Sequence, residues 1–190
     1  MTFFALLPFV IQSPKEIVME KITKILRFVD SLSEWTGKAV SFFIFALAAI
    51  VGYEVVMRYV FNRPTVWVND LSAMFFGTFI IIGGAYTLRD GGHVNMDVIY
   101  GRFSSKRKAF FDLFTFVILT LPFLGVMLWT GWGTAWKSLV TLERDSTQWG
   151  PPIYPFRLML PLGAFLILLQ ALAKFVRDLM IVIKGGEEGN

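Results

Sequence analysis

Four long apolar stretches dominate this chain and restrict the folds that it can adopt. They cover residues 39–57, 71–88, 113–136 and 158–176. Glu54 and Lys174 are the only charged side chains within them. About 20 apolar residues cross the hydrocarbon core of a bilayer, and a single segment in lipid satisfies its own backbone hydrogen bonds only as an α-helix. The sequence therefore predicts an all-α integral membrane protein with four transmembrane helices.

The predicted organisation is one membrane domain with a short segment at either end. We place residues 1–30 in an N-terminal tail and amphipathic segment, residues 31–184 in the four-span domain and residues 185–190 in a C-terminal tail. The spans are predicted at about 36–62, 65–89, 106–138 and 155–182. The start of the native chain stays open between Met1 and Met19, because the segment before Met19 lacks the positive region and cleavage site of a signal peptide.

The distribution of positive charge predicts the orientation. Thirteen of the 18 Lys and Arg residues lie in the N-terminal segment, the connector between spans two and three, and the C-terminal end. Positive residues collect on the cytoplasmic side of a membrane, so we expect both termini in the cytoplasm. A short interfacial segment at residues 95–103 would lie on the same side. The net charge of +4 then reflects topology, and no nucleic-acid partner is expected.

The residue inventory predicts a protein that is not an enzyme and that needs no metal or cofactor. Cysteine is absent, which removes disulfides, thiolate metal sites and a cysteine nucleophile. The single histidine, His93, cannot supply the paired haem ligands of an electron-transfer anchor. No nucleophile–base pair or phosphate loop is visible, and Gly91-Gly92 lacks the spacing of a dinucleotide motif.

Glu54 and Arg58 need an explanation, because charges within spans are costly and mark either pairing or function. They lie four residues apart on one helix, in the favourable order for an ion pair. The structural interpretation is that the two side chains neutralise each other near the outer end of span one. The functional interpretation is that Glu54 binds a cation or a proton.

Small residues predict where the helices approach one another, and proline predicts where a helix bends. Ala48 and Gly52 lie four residues apart on span one, as do Ala73 and Gly77 on span two. Small residues at this spacing let two backbones approach closely in lipid. Pro122 lies inside span three, which is longer than a crossing needs, so we expect a tilt or a kink there.

Three motifs along the chain form one recognisable pattern. The first joins spans one and two and contains Arg58-Tyr59, Phe61-Asn62, Pro64 and Trp67. The second ends span two and contains Gly83-Gly84, Leu88-Arg89, His93-Val94 and Asp97. The third, in span four, is Pro161-Leu162-Gly163 followed by Gln170. Together they resemble the small membrane subunit of tripartite ATP-independent periplasmic (TRAP) transporters, the DctQ-like family. The resemblance runs from about Asp30 to Asp178, and Asp70 stands where the family usually carries Glu.

This resemblance implies a protein of the bacterial inner membrane with two protein partners. A periplasmic substrate-binding protein would capture an organic anion such as a carboxylate or sugar acid, and a large membrane subunit would move it inward with sodium. The small subunit would be non-catalytic, would brace the fixed part of the large subunit and would contact membrane lipid. The alternative from another class is a self-sufficient dimeric four-span carrier with Glu54 as its coupling site.

The motif positions also imply two groups of structural or partner-contact residues. One group, at the outer end of spans one and two, would contain Glu54, Arg58, Asn62, Trp67 and Asp70. The second group, at the inner end, would contain Arg89, His93 and Asp97.

Overall fold

The computed structural model describes residues 14–90 and 105–187, and its elements are helices joined by short connectors. Four of these helices are long and apolar enough to cross a membrane, namely Val18–Tyr59, Val68–Arg89, Arg107–Val140 and Tyr154–Ile183. The predicted all-α, four-span fold class is confirmed. The predicted interfacial segment at residues 95–103 lies outside the described residues.

The elements in chain order are α1 (Pro14–Tyr59), α2 (Val68–Arg89), α3 (Ser105–Thr115), a π-helical segment (Phe116–Thr120), α4 (Leu121–Val140) and α5 (Tyr154–Glu187). The third span consists of α3, the π segment and α4 in one continuous run. We call the end of the bundle with the connectors 60–67 and 141–153 the loop end. The opposite end, where α1 starts and α2 and α5 finish, is the terminal end.

Helix α1 is much longer than a single crossing requires. Its 46 residues extend about 69 Å, whereas the hydrocarbon core is about 30 Å thick. The predicted amphipathic segment is continuous with span one, because no proline or glycine interrupts residues 15–36. Leu26 and Val29 on this segment are buried against Ala173 of α5. The predicted boundary at residue 30 therefore falls inside a helix, and the division into domains stays a prediction.

Helix α5 is the central element of the bundle and packs against α1, α2, α3 and α4. Glycine permits its closest crossing, because a Cβ at Gly163 would lie only 2.8 Å from the carbonyl oxygen of Ile81 on α2. Gly84 of α2 packs on Ile167 of α5 in the same seam. Among the described residues, no atom outside the local helix backbone lies within 4 Å of the position that a Cβ at Gly52 or Gly77 would take. The prediction that those two glycines mark close helix contacts is therefore wrong within this chain, and Gly77 instead borders open space between α2, α4 and α5.

Span three contains the distortion that Pro122 predicts. Proline lacks the backbone N–H, and its ring crowds the carbonyl of the residue four positions earlier. The helix widens into the π segment Phe116–Thr120 immediately before this proline. Phe116 within the π segment is buried and stacks at a tilt on Phe175 of α5, with ring centroids 4.8 Å apart. The widened turn is therefore packed against the centre of the bundle.

Candidate contact clusters at the two ends of the bundle

Glu54 lies in the last turns of α1 and is fully engaged by its own chain. Its Oε1 accepts hydrogen bonds from Arg58 Nη2 at 2.7 Å and from Arg58 Nε at 3.0 Å. Its Oε2 accepts from the backbone N–H of Thr65 at 3.0 Å and from the Thr65 hydroxyl. The Glu54 side chain is only 12% exposed, whereas that of Arg58 is 55% exposed. This arrangement ties the connector to α1 and favours the structural interpretation of the pair.

Asn62 belongs to the same turn through its backbone. Its φ of 52° lies in the left-handed region, which asparagine adopts more readily than most residues. The following N–H, of Arg63, donates to the carbonyl of Met57 at 2.9 Å and closes the end of α1. The Asn62 side chain is exposed. The left-handed backbone at this position therefore explains why the motif contains an asparagine there.

Trp67 and Asp70 connect the start of α2 to the other connector. The Trp67 ring lies 5.9 Å from that of Tyr53 and 6.5 Å from that of Trp149, measured between centroids. Aromatic pairs at such distances are favourable beyond the area that they bury. Asp70 Oδ2 accepts a hydrogen bond of 2.6 Å from the Thr147 hydroxyl. Both predicted residues thus hold the connector 141–153 against the hairpin of α1 and α2.

Arg89 joins α2 to α1 at the terminal end. Its Nη1 lies 2.9 Å from Oε2 of Glu34, and Lys38 Nζ lies 2.6 Å from Oε1 of the same carboxylate. One carboxylate thus holds two cations from two helices. His93 and Asp97, the other predicted members of this group, lie outside the described residues.

A buried polar network between α1 and α5 is the part of this end that the predicted groups did not contain. The Ser33 hydroxyl donates to Gln170 Oε1 at 2.9 Å, and Gln170 Nε2 donates to Asp30 Oδ1 at 3.0 Å. Arg177 Nη2 donates to the other oxygen of Asp30. Ser33 and Gln170 are each 1% exposed. The one signal in the sequence was Gln170, a lone amide in an apolar span.

A further ion pair joins α3 to α5 near this network. Lys174 Nζ lies 3.0 Å from Oδ2 of Asp112. The structure therefore concentrates its ion pairs at the two ends of the helices. The apolar stretches between them contain no charged side chain other than Glu54 and Lys174, which lie near their margins. Such an arrangement holds helices in register and offers no charged route through the bundle.

Comparison with known proteins identifies the family. Residues 47–180 match the family model described as tripartite ATP-independent periplasmic transporters, DctQ component. The chain is 24% identical over 144 residues to the sialic acid TRAP transporter small permease protein SiaQ of Vibrio cholerae, covering 74% of this chain and 78% of that protein. It is 23% identical over 119 residues to the C4-dicarboxylate TRAP transporter small permease protein DctQ of the same organism, covering 63% of this chain. That second match spans about half of the relative, 49% of its length.

The family match covers more than half of the chain and includes the connector of α1 and α2, the end of α2 and most of α5. These are the regions whose motifs suggested the resemblance, which is thereby confirmed. Members of this family are permease subunits of transporters and not enzymes. The four helices able to cross a membrane agree with a multi-pass inner-membrane protein. The chain belongs to the family of the DctQ component of tripartite ATP-independent periplasmic transporters.

Proposed function

We propose that this subunit braces the large membrane subunit of its transporter during sodium-coupled uptake of an organic anion. A periplasmic binding protein would deliver that anion. The observation that carries the bracing role is the large apolar surface that the chain leaves uncovered. Only 11% of the most apolar stretch of each of the first three spans is buried inside the chain, against 33% in the fourth. In a membrane this surface is available to lipid and to other helices.

Rigidity is the second requirement for a brace, and the contacts at both ends support it. The hairpin of α1 and α2 is held at the loop end by Glu54, Arg58 and Thr65. The same hairpin is held at the terminal end by Glu34 and Arg89. A hairpin fastened at both ends resists sliding of one helix along the other. The large subunit could then move its substrate-carrying part against a surface that keeps its shape.

The loop end is our candidate for contact with the binding protein. By the positive-inside prediction this end faces the periplasm. Arg58 and Trp149 present exposed surface there, beside the turn that Glu54 holds. Arginine and tryptophan are the side chains that contribute most often to the energy of protein interfaces. We therefore expect these two residues to influence docking more than they influence stability.

The substrate class is proposed from the two relatives. Their names refer to C4-dicarboxylate and to sialic acid. We propose an organic anion of this general kind, a carboxylate or a sugar acid. Sodium coupling would belong to the large subunit, since the apolar stretches here have no free carboxylate among the described residues: Glu54 is engaged by Arg58 and Thr65.

The first test is purification of this chain, tagged at its C-terminus, from its native membrane in mild detergent. We expect a much larger membrane protein in stoichiometric amount. Recovery of only a homodimer would contradict the bracing role and would favour the self-sufficient carrier.

Glu54→Gln separates the same two functions by transport. In a carrier that couples through Glu54 the variant should lose uptake completely. In a bracing subunit it should weaken the hold on Thr65 and Arg58 and leave sodium-dependent uptake measurable. Glu20→Gln is a suitable control, because Glu20 forms a comparable pair with Lys24 at the opposite end of α1.

A further inference from the structure

A groove of about 590 Å³ runs along the loop-end half of the bundle, between α2, α4 and α5. We call it the loop-end groove. Its volume falls within the range of clefts that hold small molecules, about 300–1,000 Å³. Three charged residues lie at its mouth, namely Asp70, Asp145 and Arg157. Three small residues lie along its wall, namely Ala73, Gly77 and Gly131.

The depth of the loop-end groove corresponds to one leaflet of a bilayer. Along α2 its lining runs from Asp70 to Ile81. Eleven residues of helix rise about 16 Å, and half of the hydrocarbon core is about 15 Å thick. An acyl chain that enters beside Asp70 would therefore be covered along most of its length.

Glycine keeps the wall of the groove open. A Cβ at Gly77 would have no atom of the described residues within 4 Å, so none of them fills the space beside it. At Gly131 a Cβ would be in van der Waals contact with Leu160, at 3.4 Å. Met74 and Ile81 add apolar surface from α2. Such a wall suits a hydrocarbon chain, and the Thr78 and Thr134 hydroxyls that also line it donate to carbonyls of their own helices.

The mouth of the groove is polar and predominantly acidic. Asp70 retains one carboxylate oxygen beyond the Oδ2 that accepts from Thr147. The carboxylate of Asp145 has no hydrogen-bond or ion-pair partner within residues 14–90 and 105–187. Arg157 is held on one side by Glu143, with Nη1 to Oε2 at 2.6 Å, and has further N–H groups. Two carboxylates and one guanidinium therefore line a groove that is otherwise largely apolar.

We propose that the loop-end groove binds one bilayer phospholipid with a primary ammonium in its headgroup, of the phosphatidylethanolamine type. The acyl chain would lie along Gly77, and the ammonium would lie at Asp145 and Asp70. The lipid phosphate would accept from Arg157. A phosphatidylglycerol headgroup has the same phosphate, which Arg157 would also attract, but it has no ammonium to offset repulsion by the two carboxylates. This site goes beyond the bracing function and does not depend on it.

The test is native mass spectrometry of the full-length chain, released from detergent that contains equal amounts of phosphatidylethanolamine and phosphatidylglycerol. We expect one phosphatidylethanolamine retained on each chain in preference to phosphatidylglycerol. Gly77→Leu should fill the groove and abolish that retention. Gly125→Leu is the control, because Gly125 also has no atom within 4 Å of a Cβ but does not line the groove.

Asp145→Asn tests the headgroup without changing the groove. The preference for phosphatidylethanolamine over phosphatidylglycerol should fall about threefold, as expected for the loss of one partly exposed ion pair. Equal retention of the two lipids by the unaltered chain would overturn the proposal. Unchanged lipid retention in Gly77→Leu would also overturn it. A cross-link from Gly77→Cys to a large subunit in the native complex would do the same, because it would show that the groove is a protein interface.

Discussion

Gly163 provides the sharpest test of how this bundle is packed. A Cβ added there would lie 2.1 Å from Cγ2 of Ile81, 2.8 Å from its carbonyl oxygen and 2.9 Å from its carbonyl carbon. Rotation of the Ile81 side chain would relieve the first clash but not the other two, because they involve backbone. Gly163→Ala therefore requires α5 and α2 to move apart along the central seam.

The expected magnitude follows from two opposing effects. Overpacking of a tight interior costs about 1–3 kcal/mol, and a clash with backbone belongs at the upper end of that range. Replacement of glycine by alanine inside a helix stabilises the helix by up to about 1 kcal/mol. We therefore expect Gly163→Ala to lower the free energy of unfolding by about 2 kcal/mol.

Two other glycines complete a graded series. A Cβ at Gly84 would meet only the flexible end of the Ile167 side chain, at 2.9 Å from Cδ1. In Gly84→Ala the cost of this clash and the higher helix propensity of alanine should therefore nearly cancel. A Cβ at Gly125 would meet nothing within 4 Å, so Gly125→Ala should be neutral or stabilising by up to about 1 kcal/mol. The assay is reversible unfolding of the purified chain in mixed micelles. Equal stability of Gly163→Ala and Gly125→Ala would refute the packing of α5 on α2.

The remaining predictions concern the buried network of the terminal end. Gln170→Leu should lower the free energy of unfolding by about 1–3 kcal/mol, because it leaves the buried Ser33 hydroxyl without its partner and removes the hydrogen bond to Asp30 Oδ1. Ser41→Ala, which removes an exposed hydroxyl bonded within its own helix, should have little effect in the same assay. Asp30→Arg should weaken the packing of α1 on α5 and lower the free energy of unfolding, and the added change Arg177→Asp should restore part of that free energy. A double-mutant cycle should give a coupling energy of about 1 kcal/mol, since the pair is partly exposed. A coupling energy of zero would mean that the two side chains do not interact in the membrane.

Local patterns in the sequence were sufficient to predict the class of fold and the ion pair of span one. A membrane requires about 20 apolar residues and an internally bonded backbone, so each span is visible without knowledge of its neighbours. Glu54 and Arg58 are four residues apart, and helical geometry alone brings them together. Thr65, which completes the hold on Glu54, could not be anticipated, because its position depends on the path of the connector.

The direction in which each helix faces could only come from the tertiary structure. Gly52 and Gly77 show the spacing expected of helix contacts, yet the closest crossing uses Gly163 of α5. A spacing of four residues defines a stripe along a helix but not its rotation about the helix axis. In lipid this ambiguity is greater than in water, because hydrophobic residues cover both the packed and the exposed faces of a span.

The sequence by itself determined the number of spans and the family, since these depend on composition along short windows and on motifs within single connectors and spans. Only the tertiary structure decided that Asp30 and Arg177, separated by 147 positions, belong to one network with Gln170. Contacts between distant segments are selected by the packing of whole helices on α5, and no local pattern records which partner each polar side chain will meet.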